Sequence, residues 1–268
     1  MPNMHDEYEQ PGLSGNRPRG TGMSCWALVA VKARPARKAR LAGHLSALER
    51  DRLTEVMLQD VLAALRASRS VDGIAVVTTE PGRFDAQVLV RPDPGTGLND
   101  ALASAASRLQ DHGATHLLIL HADLPFVTAA EVDQFVAAGR GTDVALAPDR
   151  SGTGTNALFL GLPTPLRFCF GEDSCARHHA EAARHGLAVS TVRLPGLEAD
   201  VDEPADLPEL EQRGGSNYAF LSPGVTRAEQ SIQGMRAQAG DTGRLSRDEA
   251  LALVTNEDVT TIGKALIV

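Results

Sequence analysis

Apolar residues dominate the stretch Thr115-His-Leu-Leu-Ile-Leu-His-Ala-Asp-Leu-Pro-Phe-Val-Thr128, which lacks helical spacing and leads into a carboxylate. Such a run is typical of a strand buried on both faces of a parallel sheet. Pro125 cannot continue the strand, and Thr128 forms a capping box with Glu131, so a helix should begin there. Asp123 therefore lies at the carboxyl end of a central strand, where open α/β sheets bind their ligands.

Asp123 has two interpretations on this stretch alone. A carboxylate at that position is suited to bind a hard cation such as Mg2+, which would also touch the phosphates of a substrate. Alternatively, Asp123 caps the turn formed by Asp-Leu-Pro. Both interpretations stay open at this point.

Composition places the chain among ordinary soluble globular proteins, with 43% hydrophobic and 22% charged residues. The formal net charge of -8 argues against a general nucleic-acid binder. No apolar run approaches the length of about 20 residues that spans a membrane, and the N-terminus lacks signal-peptide features. The sequence thus predicts a cytoplasmic protein without a membrane partner. The three cysteines lack metal-ligand spacing and are interpreted as reduced and structural.

Hydrophobic periodicity divides the chain into three parts. Residues 1–22 are polar, contain several Gly and Pro residues and are predicted to be a disordered tail. Residues 23–213 alternate short apolar runs with amphipathic helical patterns, which predicts an α/β fold with a mostly parallel sheet and helices on both faces. Residues 214–268 are interpreted as a C-terminal extension that begins with a Gly-Gly-Ser-Asn linker.

Lysine is scarce in this chain, and its placement is informative. The only lysines are Lys32, Lys38 and Lys264, whereas the other basic residues are arginines. Two of the three lie in the basic segment 32–41, directly after the first predicted strand, together with Arg40. A compact ammonium group serves as a point-charge ligand for phosphate. The segment is interpreted as a polyphosphate cradle, and a solvated basic surface loop is the alternative.

Two aspartates are spaced to share one face of an extended segment. Asp200 and Asp202 lie two residues apart, so in an extended backbone both carboxylates point the same way. Two like charges so close together are costly unless a cation neutralises them. This spacing predicts a cation site, and an acidic solvated turn is the alternative.

Two further positions could bind a substrate. Asn99 follows a predicted strand and opens a helix, where its amide could contact a base or ribose, although a plain N-cap is equally consistent. The pattern at residues 152–157 superficially matches a dinucleotide fingerprint. It lacks a helix directly after it, so we reject that match. In the same loop, Thr155 and Asn156 offer hydrogen-bond donors to an anion.

A helix is predicted after Phe168-Cys-Phe-Gly171-Glu-Asp-Ser174. Ser174 as its N-cap would direct backbone N–H groups and the helix dipole at an anion such as phosphate. His178 and His179 are adjacent and point to different faces, so they cannot both join one site. We interpret them as surface or core histidines, with substrate orientation by one of them as the alternative.

These motifs, in their order along one domain, resemble the 2-phospho-L-lactate guanylyltransferase family, called CofC or FbiD. That family belongs to the molybdenum-cofactor-nucleotidyltransferase-like group. The resemblance is carried by Val31-Lys32 with Lys38-Ala-Arg-Leu41, Leu98-Asn99, Ala122-Asp-Leu-Pro125, Gly154-Thr-Asn-Ala-Leu158, Phe170-Gly171 with Ser174 and His178, and Asp200-Val-Asp202 with Asp206-Leu207. It implies the architecture of the nucleotide-diphospho-sugar (glycosyltransferase A-like) nucleotidyltransferases.

The resemblance also implies an activity. The enzyme would transfer GMP from GTP to the phosphate of 2-phospho-L-lactate, phosphoenolpyruvate or 3-phospho-D-glycerate, releasing pyrophosphate, in coenzyme F-420 biosynthesis. A phosphate monoester, with a second pKa of about 6, is already a dianionic nucleophile at neutral pH, so no general base is required. A homodimer and hand-over of the product to the next pathway enzyme are left open.

Site residues follow from the resemblance, position by position. Mg2+ would be held by Asp123, Asp200 and Asp202. Catalysis would depend on Lys32, Lys38 and Asp123. The nucleotide would be contacted by Lys32, Lys38, Arg40 and Asn99. The phosphorylated acid would be contacted by Thr155, Gly171 and Ser174.

Other interpretations remain at the level of sequence. Another nucleotidyltransferase or an Asp-x-Asp glycosyltransferase of similar fold would also carry paired aspartates, and a non-catalytic nucleotide-binding module is a further alternative. The C-terminal extension resembles the opening segment of radical-SAM deazaflavin synthases but lacks their three-cysteine motif. It is interpreted as a remnant of a gene fusion, or as a simple extension.

Overall fold

The computed structural model describes residues 23–31, 38–80, 84–85, 87–93, 95 and 97–221. The chain divides into two compact units, Met1–Asn217 and Tyr218–Val268, and only residues 218–221 of the second unit are described. The predicted tail, residues 1–22, and most of the predicted C-terminal extension therefore lie outside the described residues.

One seven-stranded sheet forms the centre of the part that the structure describes. Its strands are β1 Cys25–Val31, β2 Gly73–Thr78, β3 Val88–Pro92, β4 His116–His121, β5 Val144–Pro148, β6 Thr155–Gly161 and β7 Val189–Thr191. Their order in the sheet is β3-β2-β1-β4-β6-β5-β7. Strand β6 runs antiparallel to β4 and β5, and the other neighbours are parallel, which confirms the predicted mostly parallel sheet.

Helices cover both faces of this sheet, as predicted. They are α1 Ala47–Ala67, α2 Leu98–Asp111, α3 Ala129–Gly139, α4 Ser174–Arg184, α5 Pro195–Glu198 and α6 Leu207–Arg213, with 3-10 turns at Ala39–Leu41, Pro204–Asp206 and Gly215–Leu221. Alternate side chains of β1 point to opposite faces, so Ala27 and Val29 join the core with α1 and α3. Trp26 and Leu28 join a second core with α2 and α4.

Both predicted capping boxes are present and fix where two helices begin. Glu49 N–H donates to Ser46 Oγ at 3.3 Å, and Ser46 N–H donates to Glu49 Oε2 at 2.7 Å. Thr128 and Glu131 make the same reciprocal pair at the start of α3. Glu131 Oε1 also accepts from Gly196 N–H at 2.7 Å, which ties α3 to α5. Helix α3 therefore begins just after the turn that carries the predicted site.

Two helix starts differ from the sequence prediction. Ser174 is the first residue of α4 and not its N-cap, so that prediction was wrong. Asp173 takes the N-cap position in the left-handed region, with φ 51°. Helix α2 has Gly97 as its N-cap, at φ 108°, a conformation that glycine adopts without steric cost. Asn99 consequently lies inside the first turn of α2 and leaves its side chain available for other contacts.

The cysteines Cys25, Cys169 and Cys175 are free thiols, as predicted. Burial raises the pKa of the Cys25 thiol to about 12, so it stays protonated and behaves as a small core residue. Within the described ranges, no helix has the length and apolar character needed to cross a membrane.

Candidate active site

The carboxyl end of β4 brings the acidic residues together. Strand β4 ends at His121, and Asp123 follows in the turn that the sequence predicted. Val201 N–H donates to the backbone carbonyl of Asp123 at 3.1 Å. This bond places the segment that carries Asp200 and Asp202 beside the end of β4, so the predicted aspartates of distant sequence segments converge.

Lys38 joins two of these carboxylates. Its Nζ donates to Asp123 Oδ2 at 2.7 Å and to Asp202 Oδ1 at 2.6 Å. The lysine side chain is only 6% exposed. Its backbone is in the left-handed region, with φ 47°, which is uncommon for a residue other than glycine. The structure thus brings together three predicted site residues, whereas Lys32 lies outside the described residues.

Charges in this cluster hold each other in the ionised state. Burial by itself would lower the pKa of Lys38, but the charges of Asp123 and Asp202 and the hydrogen bonds to them raise it overall. Burial would raise the pKa of Asp123, yet Lys38 and His121 lower it to about 2. At neutral pH the cluster therefore contains a buried ammonium and an ionised carboxylate in direct contact.

Asp200 belongs to the cluster but has a different partner. Its Oδ1 accepts a 3.1 Å hydrogen bond from Asn156 Nδ2, which also donates to the Leu197 carbonyl at 3.0 Å. Burial raises the pKa of Asp200 to about 6, and the neighbouring charges of Asp123 and Asp202 act in the same direction. The three aspartates thus present more negative charge than the ammonium of Lys38 neutralises.

One oxygen of Asp123 has no hydrogen-bond partner among the described residues. Its Oδ1 is buried and lies 3.9 Å from Nδ1 of His121. An unpaired buried carboxylate oxygen is costly, and carboxylate oxygens are the ligands that hard cations prefer. The donor atoms therefore fit a cation such as Mg2+.

In the present arrangement, however, the carboxylates of Asp123 and Asp202 bind the ammonium group of Lys38 and do not form a set of metal ligands. In the described part of the chain, no three His, Cys, Asp or Glu side chains are arranged so that they could hold a metal ion. Lys38 Nζ lies between Asp123 and Asp202. The assignment of Mg2+ to Asp123, Asp200 and Asp202 thus stays a prediction.

The residues expected to contact the phosphorylated acid lie on segments bound to one another. Thr155 opens β6 and is 1% exposed, with Oγ1 3.1 Å from His178 Nδ1. Cys169 N–H donates to His178 Nε2 at 2.9 Å. Ser174 is buried at the start of α4, and its N–H donates to the carbonyl of Gly171 at 3.2 Å. Because β6 is antiparallel to β4, Thr155 lies near the carboxyl end of β4.

Asn99 makes a contact that sequence reasoning missed. Phe170 N–H donates to Asn99 Oδ1 at 2.8 Å, and Asn99 Nδ2 donates to the Phe170 carbonyl at 3.1 Å. The amide therefore holds the backbone of the segment that leads to Gly171. Its predicted contact with the nucleotide stays a prediction.

Arg40 lies at the edge of the cluster. Its guanidinium is 3.4 Å from Glu203 Oε1, and both side chains are largely exposed, so the ion pair itself contributes little to stability. The contact nevertheless joins the predicted basic segment to the acidic segment. Its predicted contact with the nucleotide likewise stays a prediction.

Phe170 connects the acidic cluster with the Thr155 region. Its ring lies 5.4 Å from the His121 ring and meets the His178 ring edge-on at 4.8 Å, measured between ring centroids. No local pattern in the sequence predicts these ring contacts, because the three rings come from three separate segments of the chain. The two halves of the candidate site therefore share one aromatic wall.

Residues 25–222 match the family described as guanylyl transferase CofC-like. The chain belongs to this family. The match includes all ten residues that the sequence analysis assigned to the site. It confirms the resemblance inferred from the spaced motifs.

Curated relatives agree with the CofC-like assignment. The phosphoenolpyruvate guanylyltransferase of Sphaerobacter thermophilus is 42% identical over 194 residues, which are 70% of this chain and 93% of the relative. The phosphoenolpyruvate guanylyltransferase of Conexibacter woesei is 39% identical over 209 residues, which are 73% of this chain and 93% of the relative. This CofC-like chain is therefore a guanylyltransferase, an enzyme of the nucleotidyltransferase class.

Solved structures show the fold. A candidate nucleotide-diphospho-sugar transferase from Desulfovibrio desulfuricans aligns with a TM-score of 0.56 at 20% identity, covering 80% of this chain and 98% of that one. A nucleotidyl transferase from Methanothermobacter aligns with a TM-score of 0.51 at 17% identity, covering 71% of this chain and 97% of that one. The CofC-like chain thus has the α/β architecture that the resemblance implied.

Membership of the CofC-like family also decides between the alternatives. A guanylyltransferase uses a guanine nucleotide and a phospho-compound as its substrates. The interpretations as a glycosyltransferase or as a non-catalytic nucleotide-binding module are therefore not retained.

Proposed function

We propose that this guanylyltransferase transfers GMP from GTP to the phosphate of a three-carbon phospho-acid and releases pyrophosphate, in coenzyme F-420 biosynthesis. The names of the relatives from Sphaerobacter and Conexibacter support phosphoenolpyruvate as the first acceptor to test. The other candidates are 3-phospho-D-glycerate and 2-phospho-L-lactate. The diphosphate product would pass to the next enzyme of that pathway. The residues proposed to be catalytic all lie within the guanylyltransferase domain, residues 23–213.

The observation that carries this proposal is the contact of Lys38 with Asp123 and Asp202. A triphosphate approaching three carboxylates is repelled unless cations lie between them. Lys38 supplies one such charge, held by two short hydrogen bonds at the carboxyl end of a central strand. Because both aspartates raise its pKa, the ammonium stays charged and is suited to pair with a phosphate oxygen of GTP.

A divalent cation completes the charge balance in this proposal. Asp123, Asp200 and Asp202 would hold Mg2+, and the unpaired Oδ1 of Asp123 supports that assignment. When bound, Mg2+ would neutralise the negative charge of the triphosphate and of the leaving pyrophosphate. The chain's own part is to hold the carboxylates at one sheet edge, through the bond from Val201 N–H to Asp123.

The acceptor acid would bind on the other side of Phe170, against Thr155, Gly171 and Ser174. Helix α4 begins there, and its dipole favours an anion, although the N–H groups of Ser174 and Cys175 already donate to the carbonyls of Gly171 and Thr153. A side chain at Gly171 would meet no atom within 4 Å, so space does not require glycine here. The backbone conformation does, because φ is 118°. Because the phosphate dianion is itself the nucleophile, the site requires no general base.

A direct assay tests this function. Purified protein is incubated with GTP, Mg2+ and each of the three acids in turn, and pyrophosphate release is measured. L-lactate, which lacks the phosphate, is the control acceptor, and ATP and CTP are the control nucleotides. We expect release with GTP and at least one phospho-acid and none with L-lactate. Failure of all three acids would contradict the proposed function.

A further inference from the structure

His178 contacts two groups of the acceptor side with its two ring nitrogens. Nδ1 lies 3.1 Å from Thr155 Oγ1, and Nε2 accepts from Cys169 N–H at 2.9 Å. Both His178 and Thr155 are 1% exposed, so these groups are shielded from bulk water. The ring thus links β6 to the segment that leads to Gly171.

The direction of these hydrogen bonds follows from the chemistry of the donors. A backbone N–H can only donate, so Nε2 must be the unprotonated nitrogen of a neutral ring. The ring proton is then on Nδ1, where Thr155 Oγ1 and the Ser174 backbone are its two acceptors, so the Thr155 oxygen can only accept from this nitrogen. Burial lowers the pKa of His178 to about 4, although a hydrogen bond to the Ser174 backbone opposes that shift. The ring is therefore neutral under physiological conditions.

This assignment determines what the Thr155 hydroxyl can do. Since its oxygen accepts from His178, its own hydrogen must find another acceptor. Among the described residues, His178 is the only hydrogen-bond partner of that hydroxyl. A buried hydroxyl hydrogen without an acceptor is costly, and an anionic ligand would supply one.

The residues around His178 belong to the acceptor side of the site and not to the nucleotide side. Asn99 holds both backbone groups of Phe170, and the Phe170 ring packs edge-on against His178. Cys169, Phe170 and His178 therefore form one fixed unit next to Gly171. Lys38, which we assign to the nucleotide, is not hydrogen-bonded to this unit but to Asp123 and Asp202.

We propose that His178 is a positioning residue whose Nδ1–H group holds Thr155 so that the Thr155 hydroxyl donates to an anionic group of the phospho-acid. The proposal rests on the proposed function, because it takes the phospho-acid as the ligand. It assigns a positioning role to a histidine that the sequence analysis interpreted as a surface or core residue, with substrate orientation as the alternative.

Conservative substitutions separate the two hydrogen bonds of the ring. In His178→Gln the amide oxygen can replace Nε2 as the acceptor for Cys169, but no donor remains at the position of Nδ1, from which the ring reaches Thr155. In Thr155→Val the hydroxyl is lost at nearly constant shape, whereas Thr155→Ser keeps it. Acceptor KM, GTP KM and kcat are measured for each variant by pyrophosphate release.

We expect Thr155→Val to raise the KM for the acceptor acid about 10- to 100-fold, the cost of one hydrogen bond to a charged group. His178→Gln should raise it about 2- to 10-fold, because the hydroxyl is present but no longer held. Thr155→Ser should restore most of the affinity. GTP KM should stay within about twofold of wild type in all three. The double variant should be no worse than Thr155→Val alone, since His178 acts through Thr155.

His179 offers a matched control in the same helix. Its Nε2 lies 3.1 Å from Thr191 Oγ1, so it too is paired with a threonine hydroxyl, but this pair is exposed. His179→Gln should leave the acceptor KM unchanged. An equal rise in His179→Gln, or additive effects of Thr155→Val and His178→Gln, would overturn the proposal.

The ring proton can be located without any turnover. Nitrogen-15 chemical shifts of the His178 ring should show the proton on Nδ1, and adding phosphoenolpyruvate should perturb these signals. A proton on Nε2 would overturn the positioning role even in an active enzyme. If the protein releases no pyrophosphate with any acid, the proposed function fails. If, in addition, no acid perturbs the ring signals, the role of His178 fails with it.

Discussion

Lys38 and Asp123 are 85 positions apart in the chain, yet Lys38 Nζ lies 2.7 Å from Asp123 Oδ2. The ammonium also binds Asp202 at 2.6 Å and is almost completely buried. Arginine at this position would keep the charge, but its larger planar group cannot take the place of a point charge between two carboxylates. We expect Lys38→Arg to lower kcat at least tenfold, measured by steady-state kinetics in GTP.

Lys264→Arg is the matched control, because it makes the same substitution at a lysine outside the proposed site. It should behave like wild type. Lys32→Arg, examined in parallel, reports on the predicted role of Lys32. If Lys38→Arg keeps wild-type kinetics, the lysine contributes only its positive charge, and this segment does not bind the phosphates of GTP in the way proposed.

Removal of a single carboxylate tests the metal assignment. Asp202→Asn should reduce turnover at least 100-fold, because it removes one of the three charges that would hold Mg2+. The fold should persist, since the Asp202 side chain is 47% exposed. Asp111→Asn, at the exposed last residue of α2, is the control and should stay active. Wild-type turnover that survives in EDTA, or in Asp202→Asn, would exclude the assignment.

Asn99 offers a test between two roles. If its amide chiefly holds Phe170, Asn99→Ala should lower the free energy of unfolding by about 1–3 kcal/mol, because two backbone groups lose their partners. The acceptor KM should then rise while the GTP KM changes little. If the amide instead reads the base, Asn99→Ala should raise the GTP KM and weaken discrimination against ATP. Denaturant unfolding and substrate-dependent kinetics distinguish the two results.

Local chemistry explains what the sequence could predict. Strand β4 and the capping boxes of α1 and α3 depend on residues within a few positions of one another, so their signals are complete in short windows. The prediction that Ser174 is the N-cap of α4 was wrong, because Asp173 takes that position in a left-handed conformation that no residue-type rule requires. Lys38 was a candidate because lysine is rare here, which is a property of the whole chain.

Contacts between distant segments could not be predicted in the same way. The approach of Asp202 to Lys38 depends on a backbone bond between Val201 and Asp123. The pairing of Asn99 with Phe170 spans 71 positions and requires the folded sheet to bring α2 beside the segment before α4. Sequence spacing identified the charged groups but not which of them are hydrogen-bonded to each other.

The buried ring of His178 predicts a specific pH dependence of stability. Burial lowers its pKa from 6.5 to about 4. Between these two pH values the ring is protonated in the unfolded chain but stays neutral in the folded protein. The contribution is fully present above pH 6.5 and is lost as the pH falls through the folded pKa. The depressed pKa is worth at most about 3 kcal/mol. The free energy of unfolding, measured with denaturant from pH 7 to pH 4, should therefore fall more steeply in wild type than in His178→Gln. His179→Gln should follow wild type, and parallel curves for wild type and His178→Gln would show that the ring does not stay neutral in the fold.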